Sequence, residues 1–154
     1  MRSGGGRDFL RSAAWWAALV VWVAFVWSRS LATGEASDSQ SLWVVARLRG
    51  LFGALGVSDV AAMNHLVRKA AHFSEYLVLG LLAFQASRPL RGRGRTASVI
   101  CGLVTCCVPV VDETLQLFVN ARSGQASDVV LDICGACVGL IVMHEVHARS
   151  LERG

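Results

Sequence analysis

The stretch from Arg68 to Phe84 carries titratable side chains in its first half and an apolar run in its second half. At about 100° per helical residue, Lys69, His72 and Tyr76 fall on one face, and Glu75 lies beside them. Below these groups the same face carries small or apolar residues, which allow a neighbouring helix to approach closely. The stretch therefore predicts a membrane-spanning helix whose first turns carry functional groups at the membrane boundary.

The composition supports a membrane protein of one domain's length. The chain has 154 residues, of which 54% are hydrophobic and only 17% are charged, and its mean hydropathy is +0.50. Soluble domains are usually about 25% charged. The net charge is +4, but the arginines lie at the ends of apolar runs and do not line one polar surface. That placement argues against nucleic-acid binding and is typical of membrane topology signals.

Four apolar stretches predict membrane spans, because a helix of about 20 residues crosses the hydrocarbon core of a bilayer. They lie at residues 13–27, 60–87, 96–118 and 128–143. The first follows Arg2, Arg7 and Arg11, and its tryptophans favour a retained helix. Cleavage of a signal peptide near Ala32 is the alternative. The five cysteines all lie within apolar segments, where cysteine usually serves as a small hydrophobic residue.

The segments between the spans predict the topology. Residues 33–40 have the composition of a loop, and residues 42–55 predict a short helix on the membrane surface. Ser58-Asp59 is a plausible N-cap for the second span, which should end before Pro89. The basic loop that follows indicates cytoplasmic placement. It contains Arg88, Arg91, Arg93 and Arg95.

These features predict an all-α, polytopic membrane bundle of four transmembrane helices with both termini in the cytoplasm. Residues 1–58 would form an anchor helix with an outer loop, and residues 59–143 would form the main membrane domain. Residues 144–154 would form a cytoplasmic tail. The sequence leaves the oligomeric state open.

Three of the predicted spans bring polar groups to one level near the outer surface. Ionisable groups at membrane depth are costly, so they normally face the bundle interior, pair with each other and mark function. The predicted cluster contains Lys69, His72, Glu75, Tyr76, Asp112, Glu113, Gln116, Arg122, Asp128 and Asp132. Thr105, Pro109, Asp112 and Gln116 share one helical face, and Gly135-x-x-x-Gly139 predicts a helix-packing groove below Asp132.

The order of several linked motifs resembles the VanZ-like family. The motifs are Lys69-x-x-His72-Phe73-x-Glu75-Tyr76-x-x-Leu79-Gly80, Asp112-Glu113-x-x-Gln116-x-Phe118, Arg122-x-x-x-x-Ser127-Asp128 and Gly135-x-x-x-Gly139. They cover about residues 59–140. The resemblance implies a small bacterial inner-membrane protein of a family named for low-level resistance to the glycopeptide teicoplanin. It implies no settled biochemical activity.

One residue departs from the family pattern, because Asp132 stands where the family usually has asparagine. A carboxylate at this position could be protonated, could pair with Lys69 or Arg122, or could alter what the site binds.

The residue types suggest a division of roles within the cluster. His72 suits a general base, aligned by Glu75 or Asp112, because imidazole titrates near neutrality. The predicted catalytic set is His72, Glu75, Asp112 and Glu113. The predicted binding set is Lys69, Tyr76, Gln116, Arg122, Ser127, Asp128 and Asp132. In this interpretation Lys69 and Arg122 hold a phosphate or carboxylate of a membrane lipid or lipid-linked envelope precursor.

Several alternatives stay open at the level of sequence. The charged groups could form ion pairs that only fix helix packing. A divalent cation held by Asp112, Glu113 and Asp128 is chemically reasonable, although their spacing does not demand one and no cofactor is certain. Asp128 also has a plain role as a helix N-cap or first-turn acid. The cluster could belong to an enzyme or to a binder without chemistry.

Overall fold

The computed structural model describes residues 4–88, 94–120, 122 and 124–153, and it is all-α as predicted. Its helices are α1 (Gly4–Ser30), α2 (Gly34–Ala54), α3 (Val60–Ser87), α4 (Gly94–Gln116) and α5 (Ala126–Glu152). No strand occurs in these ranges. The helix α3 packs against all four others, most extensively against α5. It is therefore the centre of the bundle.

The contact between α3 and α5 depends on glycines. A Cβ atom added at Gly80 would collide with the backbone of Ala136, and one added at Gly139 would collide with the backbone of Leu77. A Cβ added at Gly135 would lie 2.6 Å from a backbone carbonyl oxygen. Small residues at these positions let the two backbones touch, as in many membrane helix pairs. The predicted packing groove on α5 and its small partner on α3 are confirmed.

In the described part of the chain, three helices are long and apolar enough to cross a membrane, and not the four that the sequence predicted. They are Phe9–Ser30, Arg95–Gln116 and Ala126–Glu152. The helix α3 is not one of these three, because polar side chains such as His72, Glu75 and Gln85 lower its hydropathy. Of these side chains, Glu75 lies 3.8 Å from Arg29 of α1, and His72 lies 3.9 Å from Asp132 of α5.

The segment between α1 and α3 also differs from the prediction. Residues 33–40 are not a loop, and the predicted short helix at 42–55 is the second part of the longer helix α2. The side chain of Thr33 caps this helix by accepting a hydrogen bond from the backbone N–H of Ala36. Glu35 in the first turn complements the positive end of the helix dipole. The serines that suggested a turn lie along the helix, where Ser41 bonds to the preceding turn.

The start of α3 is confirmed at the predicted cap. The Asp59 carboxylate accepts hydrogen bonds from the backbone N–H groups of Ala61 at 3.1 Å and Ala62 at 3.3 Å. The helix ends at Ser87, in agreement with the sequence. Pro89 and the predicted basic-loop residues Arg91 and Arg93 lie outside the described residues, as does the predicted flanking residue Arg2.

Asp59→Ala is expected to destabilise the bundle by about 1 kcal/mol, because two N–H groups lose their acceptor. Asp59→Asn should retain most of the stability, since the amide oxygen also accepts such bonds. Chemical unfolding of the purified protein in detergent, followed by circular dichroism, measures both variants. Equal stability of the alanine variant and the wild type would contradict the capping role.

Candidate functional site

Asp112 lies at the centre of the polar cluster and is fully buried. It sits on α4, on the same buried face as Thr105, Pro109 and Gln116, as the periodicity predicted. One carboxylate oxygen accepts a hydrogen bond from the hydroxyl of Ser30 at 2.6 Å. The other accepts one from the side-chain amide of Gln116 at 3.4 Å. The end of α1 and the end of α4 are thus joined through this carboxylate.

Asp132 on α5 and His72 on α3 face each other across the helix contact. The Nδ1 atom of His72 is 3.9 Å from Oδ1 of Asp132, too far for a hydrogen bond. Asp132 is 0% exposed, and neither of its carboxylate oxygens has a hydrogen-bond partner among the described residues. One ligand atom each from His72, Asp112 and Asp132 lies within 4.8 Å of the others. The sequence predicted Asp112 beside His72, but not this place for Asp132.

Lys69 pairs with Asp128 on the side of the cluster nearer to solvent. Its Nζ atom is 2.5 Å from Oδ1 of Asp128, and both side chains are about one-third exposed. The hydroxyl of Ser127 lies 3.3 Å from the same oxygen. Asp128 occupies the first turn of α5, which confirms its predicted helix-terminal position. Because Lys69 is engaged by Asp128, the suggested pairing of Asp132 with Lys69 is wrong.

Glu113 supports the start of α5. One of its oxygens accepts a hydrogen bond from the backbone N–H of Gln125 at 2.9 Å, and the other accepts one from Gln116 at 3.0 Å. Gln125 is the N-cap residue of α5. The suggested cation site of Asp112, Glu113 and Asp128 is not formed, because in the described part of the chain Asp112 shares ligand distance with His72 and Asp132 and not with the other two acids.

An arginine-lined cavity of about 230 Å³ opens beside His72. Arg29, Arg68 and Arg122 line it, from α1, α3 and the α4–α5 connection. Glu75 lines the same cavity, and its carboxylate is 3.8 Å from Nε of Arg29. The α2 side of the cavity adds Ser37, Gln40, Ser41 and Val44.

Arg122 is held partly inside this cavity. Its Nη2 group donates a hydrogen bond to the backbone carbonyl of Arg29 at 3.2 Å, whereas its buried Nε has no partner among the described residues. Burial lowers the pKa of the Arg122 guanidinium, and repulsion from Arg68 adds to this effect. Arginine still keeps its charge in proteins, because its ordinary pKa exceeds 12. The cavity therefore contains a half-buried positive group with one buried donor that has no partner in the described part of the chain.

A second and smaller cavity, of about 100 Å³, lies next to the Lys69–Asp128 pair. His72 and Arg68 line both cavities. His72 consequently separates two polar spaces within the bundle.

Comparison with protein families identifies the family of the chain. The family model described as VanZ/LLP1 matches residues 15–147, which is most of the chain. The chain belongs to the VanZ/LLP1 family. The match includes α1 and α2 as well as the motif-bearing helices α3, α4 and α5. No curated protein and no solved structure gives a significant match to the sequence.

Sequence reasoning about this VanZ/LLP1 protein missed the contribution of α1 to the site. Ser30 and Arg29 are the last residues of α1, and they contact Asp112 and Glu75 respectively. The indole N–H of Trp22 donates a hydrogen bond to the backbone carbonyl of Glu75 at 2.9 Å. The signal in the sequence was a polar pair directly after an apolar run. Glu75 lies 46 residues after Arg29, and Asp112 lies 82 residues after Ser30, so the local sequence pattern did not reveal these contacts.

The Lys69–Asp128 pair is expected to contribute about 1 kcal/mol or less to stability, because both partners are partly exposed. A double-mutant cycle with Lys69→Met and Asp128→Asn, followed by chemical unfolding, measures the coupling free energy. A coupling of several kcal/mol would show that this pair holds α3 to α5, and would contradict a dominant role of the glycine contacts.

Proposed function

We propose that this protein binds an anionic envelope lipid or lipid-linked precursor in the arginine-lined cavity and acts on it. This activity would alter the cell envelope or make the cell tolerant to glycopeptides such as teicoplanin, the antibiotic for which the family is named. The observation that carries the proposal is the convergence of Arg29, Arg68 and Arg122 on one cavity.

The charge balance of the cavity favours an anion. Three guanidinium groups line it, and Glu75 is the only carboxylate among its described lining residues. Guanidinium groups bind phosphate and carboxylate through paired, charge-assisted hydrogen bonds. The free Nε–H of Arg122 is one such donor. Glu75 lies 3.8 Å from Arg29, and Asp38 pairs with Arg68 at 3.0 Å. A phosphate or carboxylate headgroup would therefore neutralise the charge of Arg122, which pairs with no carboxylate among the described residues.

The side chains on the cavity wall suit proton transfer. In this proposal His72 is the general base and Glu75 the second titratable group at the bound headgroup. The oxygen of the attacking water bonds to the phosphorus or carbonyl carbon of the headgroup ester while His72 takes a proton from that water. As the bond to the ester oxygen breaks, the protonated His72 gives this proton to the departing oxygen. Asp112 and Asp132 each place a carboxylate oxygen within 4.8 Å of a ring nitrogen of His72. Glu113 is a positioning residue that acts through Gln125.

The same proposal places the protein in the bacterial inner membrane as a multi-pass protein, with both termini cytoplasmic and the cavity on the outer side. The polar site lies at the end of the bundle where α1 and α4 finish and where α5 begins. The opposite end carries Arg95, Arg149 and Arg153, as expected of a cytoplasmic face. We propose that α3 crosses with its neighbours, because Tyr76 is fully buried in the bundle and Glu75 contacts Arg29 of α1.

A second candidate function is binding without chemistry. It is favoured by the distance of 3.9 Å between His72 and Asp132, which leaves the imidazole without the aligned carboxylate bond of a typical catalytic histidine. His72→Gln distinguishes the two functions. It should abolish the effect of an enzyme while leaving most of the effect of a binder.

Antibiotic susceptibility tests the proposed function. A susceptible host would express the wild type, Glu75→Gln, His72→Gln or Arg122→Ala, with membrane levels checked by immunoblot. The wild type should raise the minimal inhibitory concentration of teicoplanin, measured beside vancomycin, and the Arg122 and Glu75 variants should not. Glu35→Gln, an exposed substitution on α2, is the matched control and should protect like the wild type. Normal protection by the Arg122 variant would contradict the proposal.

A further inference from the structure

We propose that His72, Asp112 and Asp132 form a binding site for one divalent transition-metal ion, such as zinc or manganese. The three residues come from α3, α4 and α5 and meet inside the bundle. The proposal goes beyond anion binding by the arginines, since it concerns different residues and a ligand of opposite charge.

The unpaired carboxylate of Asp132 is the first observation in favour of an ion. Asp132 is 0% exposed, and both of its oxygens lack a hydrogen-bond partner in the described part of the chain. The Nδ1 atom of His72 is also buried without such a partner. Buried polar atoms in folded proteins almost always have a partner, so each exception needs an explanation. A cation between these atoms would supply the partner of all three.

The distances between these side-chain atoms of His72, Asp112 and Asp132 are typical of ligands of one metal ion and are too long for hydrogen bonds. Zinc binds histidine nitrogen and carboxylate oxygen at about 2.1 Å, so two ligands of one ion are roughly 3 to 4 Å apart. The Nδ1 atom of His72 and Oδ1 of Asp132 are 3.9 Å apart. One ligand atom of Asp112 lies within 4.8 Å of those of His72 and Asp132. A small shift of Asp112 toward these two residues would bring all three to the spacing of ligands of one ion.

The outer contacts of Asp112 resemble those of a metal-binding carboxylate. Ser30 and Gln116 donate hydrogen bonds to its two oxygens and fix its orientation. Such supporting hydrogen bonds are a regular feature of metal ligands, and their loss typically weakens metal binding about 10- to 100-fold. Each carboxylate oxygen has a second lone pair, which stays free for an ion.

One imidazole and two carboxylates suit zinc, manganese or ferrous iron better than magnesium, which prefers oxygen ligands and water. Three protein ligands leave at least one position for water or substrate. His72 also lines the arginine cavity, so the ion would lie next to a bound anionic headgroup. With the ion in place, His72 would be a ligand instead of the general base, and the ion would lower the pKa of a bound water so that this water could act as the nucleophile.

The test measures metal binding by the full-length protein in detergent, without any lipid substrate. The protein is stripped with chelator, dialysed and titrated with Co²⁺, whose visible absorption reports its ligands, and with Zn²⁺ in competition. The wild type should bind one ion. Asp132→Asn should weaken binding about 100-fold, and Ser30→Ala should weaken it about tenfold through Asp112. Glu145→Gln, an exposed substitution on the same helix as Asp132, is the matched control and should bind normally.

The exposed thiols of Cys134 and Cys137 could bind cobalt themselves. The double substitution Cys134→Ser and Cys137→Ser must therefore leave the signal unchanged. If it removes the signal, or if Asp132→Asn binds like the wild type, the proposed site is wrong. Absence of any binding by the folded wild type also overturns it, and would mean that protons shared among His72, Asp112 and Asp132 neutralise the cluster. Because no lipid is present, this result is independent of the anion proposal.

Discussion

Gly139→Ala is expected to destabilise the bundle by about 1 to 3 kcal/mol, although it adds only one methyl group. The Cβ atom would collide with the backbone carbonyl of Leu77 and crowd the backbone at Gly80 and Leu81. Backbone cannot rotate away as a flexible side chain can, so α5 must shift from α3. That shift would also separate Asp132 from His72, because both lie along the same helix contact. Chemical unfolding in detergent and the level of protein in the membrane measure the effect.

Gly102→Ala is the matched control, because a Cβ atom at this exposed position of α4 meets no atom within 4 Å. This variant should be as stable as the wild type or up to about 1 kcal/mol more stable, because alanine has a higher helix propensity than glycine. If both variants had the same stability, the close contact between α3 and α5 would not exist in the protein.

Asp112→Ala is expected to lose about 2 to 4 kcal/mol of stability, because the buried hydroxyl of Ser30 loses its acceptor and a void remains. Asp112→Asn should lose about 1 kcal/mol or less, since its oxygen can still accept the bond from Ser30. Both variants should lose the biological effect if the carboxylate takes part in function.

The asparagine variant thus separates structure from function. If Asp112→Asn accumulates normally and still protects the host as well as the wild type, the Asp112 charge only holds helices together. If it accumulates normally and no longer protects, the charge serves the function of the site. Unfolding curves and membrane immunoblots on the same samples provide the required check on protein level.

The sequence predicted the parts of the fold that depend on local pattern. The Asp59 cap, the end of α3 at Ser87 and the buried face of Asp112 and Gln116 follow from capping chemistry and helical period. The glycine groove on α5 was also evident, because glycines four residues apart share one face. These features depend on residues less than about one helical turn apart.

The remaining features depend on contacts between distant segments. The serines of α2 suggested a loop because their side chains compete for backbone hydrogen bonds, yet the Thr33 cap and the packing on α3 favour helix. The sequence predicted a span at α3 with the other three, whereas α3 is less apolar than they are and packs against all four other helices. The positions of Ser30 and Asp132 depend on how α1, α4 and α5 pack, and no local periodicity encodes that packing.

The most direct test of the central claim compares the binding of a polyprenyl phosphate with that of the same polyprenol lacking the phosphate. Purified protein in nanodiscs would be titrated with each lipid, and bound lipid counted by native mass spectrometry. We predict that the phosphate lipid binds more tightly, and that Arg122→Ala weakens its binding about tenfold or more, as expected for loss of a charge-assisted hydrogen bond. Arg149→Ala, at the opposite end of the bundle, should have no effect. Equal binding of the two lipids, or an unchanged affinity of the Arg122 variant, would contradict an anion-binding cavity in this VanZ/LLP1 protein.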